Sequence, residues 1–201
     1  MTKRLVSAAA SAAAIGAAAL ALAPSALATA NGGGCQLAGT ANFSPNITGT
    51  SQTISYTFTG TLTNCHSGNA SSGPNSTPTG GTIATPDPAS LTGSCSSSTS
   101  SGVAVVSWND GNTTVESYTT QGALAAVHQT GTVIASYTST TQKNPDGTPV
   151  VYTTNEPSTP VGDSGTGLFA FTTSTPQACG PGGAGLSSAG INGTVFTGST
   201  S

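Results

Sequence analysis

Ser164 has the most suggestive setting for chemistry in this chain. It lies in Gly162-Asp163-Ser164-Gly165. A serine held on a tight turn can attack a carbonyl if a histidine takes its proton and an acid orients that histidine. The chain offers His66, in Asn64-Cys65-His66-Ser67, and His128, in Ala126-Val127-His128-Gln129. Gly, Asp and Ser are also ordinary turn formers, so the run reads as a turn ahead of a strand. The acids Asp87, Asp110, Glu116, Asp146, Glu156 and Asp163 are scattered. They and the two histidines form no ligand pair at i, i+2 or i, i+4 and no acidic loop repeat, so no metal or other cofactor is expected. A glycosidase needs two positioned carboxyls. Asp110 reads as a turn residue, and Glu116 as a residue on the wet face of its strand.

The run around Ser164 resembles the Gly-Asp-Ser-Gly of chymotrypsin-like serine proteases, which are also exported β proteins. The likeness covers four residues. That family's Ala-Ala-His-Cys is absent, and Thr166-Gly167 stand where its next Gly-Pro would be. A secreted hydrolase centred on Ser164 is therefore the third reading, and no enzymatic activity is expected.

Binding needs apolar or aromatic surface. Trp108 falls on the inward face of its strand. Tyr118, Tyr137 and Tyr152 sit near strand ends and are the better stacking platforms. A small apolar-ligand carrier, the second reading, predicts a pocket lined by Tyr56, Phe58 or Phe171 instead of a filled core. The N-x-[ST] sequons at Asn46, Asn69, Asn75, Asn112 and Asn192 come easily to a chain so rich in Ser and Thr, and His128 reads as a structural residue.

Strands must carry these groups. In 52–64, Ile54, Tyr56, Phe58 and Leu62 alternate with Ser and Thr, the period of a half-buried strand. Leu37, Ala41 and Phe43 alternate before it, and 45–51 supplies the turn. The segment 66–81 reads as a long loop, with strands at 82–84 and 91–95 and a flexible connector at 96–101. Asp110-Gly111 predicts a two-residue type I′ hairpin. Trp108 then opposes Thr113, Val106 opposes Val115, and Ala104 opposes Ser117, so Val115 points in. The run 124–137 reads as strand, with a short helix at 123–126 as the alternative. Asn144-Pro145-Asp146-Gly147 is a type I turn signal leading to Val150. The last strands are expected at 167–173 and 190–197. About ten short strands predict an all-β fold, either an antiparallel immunoglobulin-like sandwich or a β-barrel.

Export is written at the N-terminus. Lys3 and Arg4 precede an alanine-rich stretch, Pro24-Ser25, and small residues at Ala26-Leu27-Ala28 or Ala28-Thr29-Ala30. That is the layout of a signal peptide over residues 1–30, followed by one all-β domain over 31–201. Cleavage leaves Lys143 as the one base against six acids. Nucleic acid and anionic membrane are thus not expected as partners. In an oxidising compartment Cys35, Cys65, Cys95 and Cys179 read as two disulfides. The hairpin centred near residue 50 puts Cys35 level with Cys65, leaving Cys95 for Cys179. Both partners of the first pair are odd-numbered, whereas the apolar faces match odd to even. A bulge at Gly60 would repair the parity, as would a strand ending before Cys65.

The stretches Cys35-Gln36-Leu37-Ala38-Gly39-Thr40-Ala41-Asn42-Phe43-Ser44-Pro45 and Gly60-Thr61-Leu62-Thr63-Asn64-Cys65 resemble small secreted Ser/Thr-rich proteins of actinobacteria. That likeness implies no activity. The composition is also similar to the enediyne apoproteins, exported carriers with two disulfides, although their short disulfide loops are not matched. The first reading is therefore a secreted, non-enzymatic β domain acting by binding or as a structural element, free or at the cell surface.

Overall fold

The computed structural model describes residues 33–66, 78–123, 125–180 and 182–198. The signal segment and most of the loop expected at 66–81 lie outside the described residues. Among the described residues, eleven strands run in chain order: β1 Gly33–Ile47, β2 Gln52–His66, β3 Gly81–Ala84, β4 Ala89–Ser94, β5 Ser97–Trp108, β6 Thr113–Ala123, β7 Ala126–Ile134, β8 Ser136–Lys143, β9 Pro149–Thr153, β10 Ser164–Thr172 and β11 Leu186–Gly198. A 3-10 turn, Pro176–Cys179, precedes β11.

The strands close into a barrel, not a sandwich. All pairings are antiparallel, and β11 returns to β1. Eight positions go round the wall, because β3 and β4 share the one between β2 and β5. Pro86 and Pro88 cause the break, since proline has no N–H for the ladder. Thr85 patches it by accepting the Phe58 N–H at its Oγ1 (3.0 Å) and donating its own N–H to the Phe58 carbonyl (3.0 Å). Hydrophobic side chains from alternate positions fill the interior, among them Leu37, Ala41, Phe43, Ile54, Phe58, Leu62, Ile83, Leu91, Val127, Phe169 and Ile191. Ser and Thr take most of the outer face. Their branched or small side chains suit a pleated, wet surface.

β8 and β9 form a separate ribbon on the outside. Asp87, between β3 and β4, pins it. Its carboxylate accepts the hydroxyls of Tyr137 (2.7 Å), Ser139 (2.6 Å), Thr140 (2.9 Å) and Thr141, and the N–H groups of Thr140 (2.7 Å) and Thr141 (3.0 Å). The expected turn at Asn144 joins the two strands, with the Gly147 N–H on the Asn144 carbonyl (2.9 Å).

Both expected disulfides are present, Cys35–Cys65 and Cys95–Cys179. The irregularity beside the first is not at Gly60, which pairs in register with Gly39. It falls between the pairs Gly34–His66 and Gln36–Thr63, where Asn64 takes a positive φ of 51°. That extra residue brings Cys65 to Cys35.

Other local expectations are corrected. The segment 96–101 is strand from Ser97 onward, because β4 and β6 both pair with it. The run expected as strand from 124 turns first: Ala123 pairs with Ala126, and β7 begins there. The Asp110-Gly111 hairpin has a three-residue loop. The Gly111 N–H returns to the Trp108 carbonyl (3.1 Å), Gly111 has φ +91°, and the Trp108 N–H reaches the Asn112 carbonyl (2.9 Å). A type I turn followed by a left-handed glycine fits a twisted ladder as well as the two-residue turn does. The added loop residue shifts the register by one. Val106 therefore opposes Thr114, Val105 opposes Val115, and Ala104 opposes Glu116. Val115 lies on the outer face, fully buried at 0 % exposure beside Thr154. Glu116, expected on the wet face, points into the barrel.

Candidate functional site

The interior contains a small space of about 60 Å³, lined by residues that include Tyr56, Phe58, Tyr118, Gln129, Phe169 and Phe171. Phe43, Leu91, Ser98 and Phe171 also line a second cavity of about 370 Å³ at one end of the barrel. That end is the mouth. Ile47 of β1, Cys95, Cys179, Leu186 and Ala189 surround it, and the Cys95–Cys179 bond ties the β4–β5 turn to the segment before β11. The opposite end is closed. There Trp108 donates its Nε1–H to Thr114 Oγ1 (2.8 Å), and Thr114 bonds in turn to Thr159. An eight-stranded barrel is just wide enough to be filled by side chains or to hold one small ligand. Here its lower part is filled and its mouth is hollow.

A line of hydroxyls runs along the inner wall. Thr120 Oγ1 meets Ser100 Oγ at 2.6 Å, Ser100 Oγ meets Tyr56 Oη at 3.0 Å, and Tyr56 Oη meets Tyr118 Oη at 2.7 Å. Burial raises the pKa of both phenols. For Tyr56 the bonds to Ser100 and Tyr118 offset part of that rise; for Tyr118 the Tyr56 hydroxyl and the Glu116 charge add to it. Both stay protonated and can donate. Tyr118 is buried at 7 % exposure, so it is no exposed platform. Tyr137 and Tyr152 are partly exposed, but their hydroxyls are taken by Asp87 (2.7 Å) and Gln142 Oε1 (2.5 Å).

Glu116 lies one step toward the closed end from Tyr118. Gln129 donates its Nε2–H to Glu116 Oε1 (3.1 Å). The carboxyl fits over Gly131 and Gly165, which pair with each other on β7 and β10. A Cβ on either would strike it, so close approach demands glycine at both. Burial pushes its pKa up to about 7, and the Gln129 bond offsets part of that rise.

Ser164 and the histidines are not brought together. Ser164 pairs with Thr132, and His128 pairs with Leu168. Four residues of strand separate them, roughly 13 Å at the usual rise per residue. His66 is three strands round the wall, roughly 14 Å at the usual spacing, and both histidines are exposed. Asp163 precedes Ser164, and burial raises its pKa. Among the described residues, no group of three or more His, Cys, Asp or Glu side chains is placed to hold a metal ion.

Sequence reasoning missed Ser98, Ser100, Thr120, Gln129 and Glu116 as interior residues. Glu116 and Thr120 were missed because the parity of β6 was read one residue out of register, and Ser98 and Ser100 because 96–101 was read as a connector. No protein-family model, curated protein or solved structure matches the chain.

Proposed function

We propose that the protein is a secreted, non-enzymatic binder of a small apolar molecule, held in the mouth of the barrel. The carrying observation is the mouth cavity of about 370 Å³, within the size range of small-molecule sites. Its wall is mostly apolar, as in such sites, with Phe43, Leu91, Phe171, Leu186 and Ala189 contributing. Two disulfides suit an oxidising compartment, and among the described residues no helix is long and apolar enough to cross a membrane. The disulfides support release outside the cell.

The test is titration with the neutral dye N-phenyl-1-naphthylamine. One molecule should bind per chain with enhanced emission. Ser98→Trp, which fills the junction of the two cavities, should abolish that signal while leaving the far-UV spectrum unchanged. Failure of the parent protein to bind the dye, or equal binding by the variant, would overturn the reading.

A further inference from the structure

The hydroxyl line makes a more specific statement about the ligand, one that rests on the mouth-cavity reading above. Four hydroxyls, those of Thr120, Ser100, Tyr56 and Tyr118, are joined by three hydrogen bonds. Each hydroxyl carries one hydrogen. Three hydrogens fill the three links, so one is left over, on whichever of the four hydroxyls only accepts; with the links pointing toward the tyrosines that is Tyr118. All four residues line the inner cavity. A guest entering from the mouth therefore meets a wall with a spare donor.

Charge narrows the guest further. Neither cavity is lined by a basic residue. Among the described residues the sole base is Lys143, exposed on β8. A carboxylate or phosphate in the barrel would be buried without a counter-ion, which is costly. A cationic head would need Glu116, but Gln129 already occupies Glu116 Oε1, and the cavity is lined by Gln129, not by Glu116. A neutral oxygen fits without either penalty. The rings of Phe43 and Tyr56, with centroids 6.3 Å apart and planes at 49°, stand on the path from the mouth. With Phe171 they offer faces and edges to a flat ring system.

We propose that the barrel takes a neutral, ring-containing apolar molecule bearing a carbonyl or hydroxyl oxygen, with that oxygen hydrogen-bonded to the Tyr56–Tyr118 end of the hydroxyl line and the ring in the mouth. A molecule of the same shape without the oxygen forgoes that bond. One with a carboxylate in its place is rejected.

The test uses three probes of matched shape on the intact, oxidised protein: 2-acetylnaphthalene, 2-ethylnaphthalene and 2-naphthoate, titrated at neutral pH by calorimetry or protein NMR. The ketone should bind about fivefold more tightly than the hydrocarbon, the worth of one net hydrogen bond of ~1 kcal/mol, and the naphthoate should bind at least tenfold more weakly than the ketone. Tyr118→Phe should cut the ketone's affinity to that of the hydrocarbon and leave the hydrocarbon unchanged. The double variant Tyr56→Phe/Tyr118→Phe removes both phenol donors, and in it the difference between ketone and hydrocarbon should vanish. If the hydrocarbon or naphthoate matches the ketone, or neither variant narrows the difference, the head-group inference falls while the mouth cavity stands. If none of the three binds, the mouth-cavity reading falls and this inference with it.

Discussion

The hydroxyls of Tyr56 and Tyr118 meet at 2.7 Å, linking β2 to β6 across the barrel interior. The two are not equivalent. Tyr56 also holds Ser100 at 3.0 Å, so it keeps a partner when Tyr118 is removed. Tyr118 has Tyr56 alone. Tyr118→Phe should therefore cost about 1 kcal/mol of unfolding free energy, and Tyr56→Phe about 1–3 kcal/mol, because the second leaves a buried phenol unpaired. Urea unfolding of both variants checks the order. A larger loss in Tyr118→Phe would refute the described direction of dependence.

Glu116 makes stability fall with rising pH. Its folded-state pKa, raised to about 7 by burial, lies above the ordinary glutamate value of 4.5. Between those values the folded state holds a proton that the unfolded chain has lost, so stability declines from about pH 4.5 to 7 and then levels, by on the order of 3 kcal/mol in all. Glu116→Gln keeps the acceptor for Gln129 and removes the titration. Its melting temperature should match the parent's near pH 5 and exceed it at pH 8. Parallel curves for the two proteins across that range would show that Glu116 does not titrate as described.

Asp87 acts in the opposite sense. Burial alone would raise its pKa, but bonds from Ser139, Thr140, Thr141 and Tyr137 outweigh that and hold the carboxyl well below the usual range. Its contribution is therefore complete above the ordinary aspartate value near 3.8 and is lost as pH falls below it. With Glu116, this places the stability maximum near pH 4–5. Asp87→Ala should free the β8–β9 ribbon without melting the barrel. Amide exchange at Thr140 and Thr141 should accelerate by about tenfold or more, with Val106 and Tyr118 unchanged. Uniform acceleration across the molecule would mean that the ribbon and barrel open together.

The sequence carried the barrel's best-patterned parts plainly. Ile54, Tyr56, Phe58 and Leu62 alternate with hydroxyl residues, and that period places them inside without any tertiary information. The disulfides followed from the same hairpin. The inner wall was harder to read for two reasons. Asp110-Gly111 suits both a two-residue and a three-residue loop, and the choice between them sends Glu116 to one face or the other. The run Ser96–Ser101 has no apolar period, so its placement depends on β4 and β6 pairing with it from either side. Closure of β11 onto β1 is likewise a long-range pairing that no local pattern encodes.

The central claim is that the barrel mouth holds a small apolar guest. The most direct measurement is intermolecular NOE spectroscopy on the labelled protein with bound N-phenyl-1-naphthylamine. Contacts should appear from the dye's rings to Phe43, Leu91, Phe171 and Leu186, the residues around the mouth. Contacts confined to the Thr and Ser side chains of the outer wall, with none to those four, would contradict it.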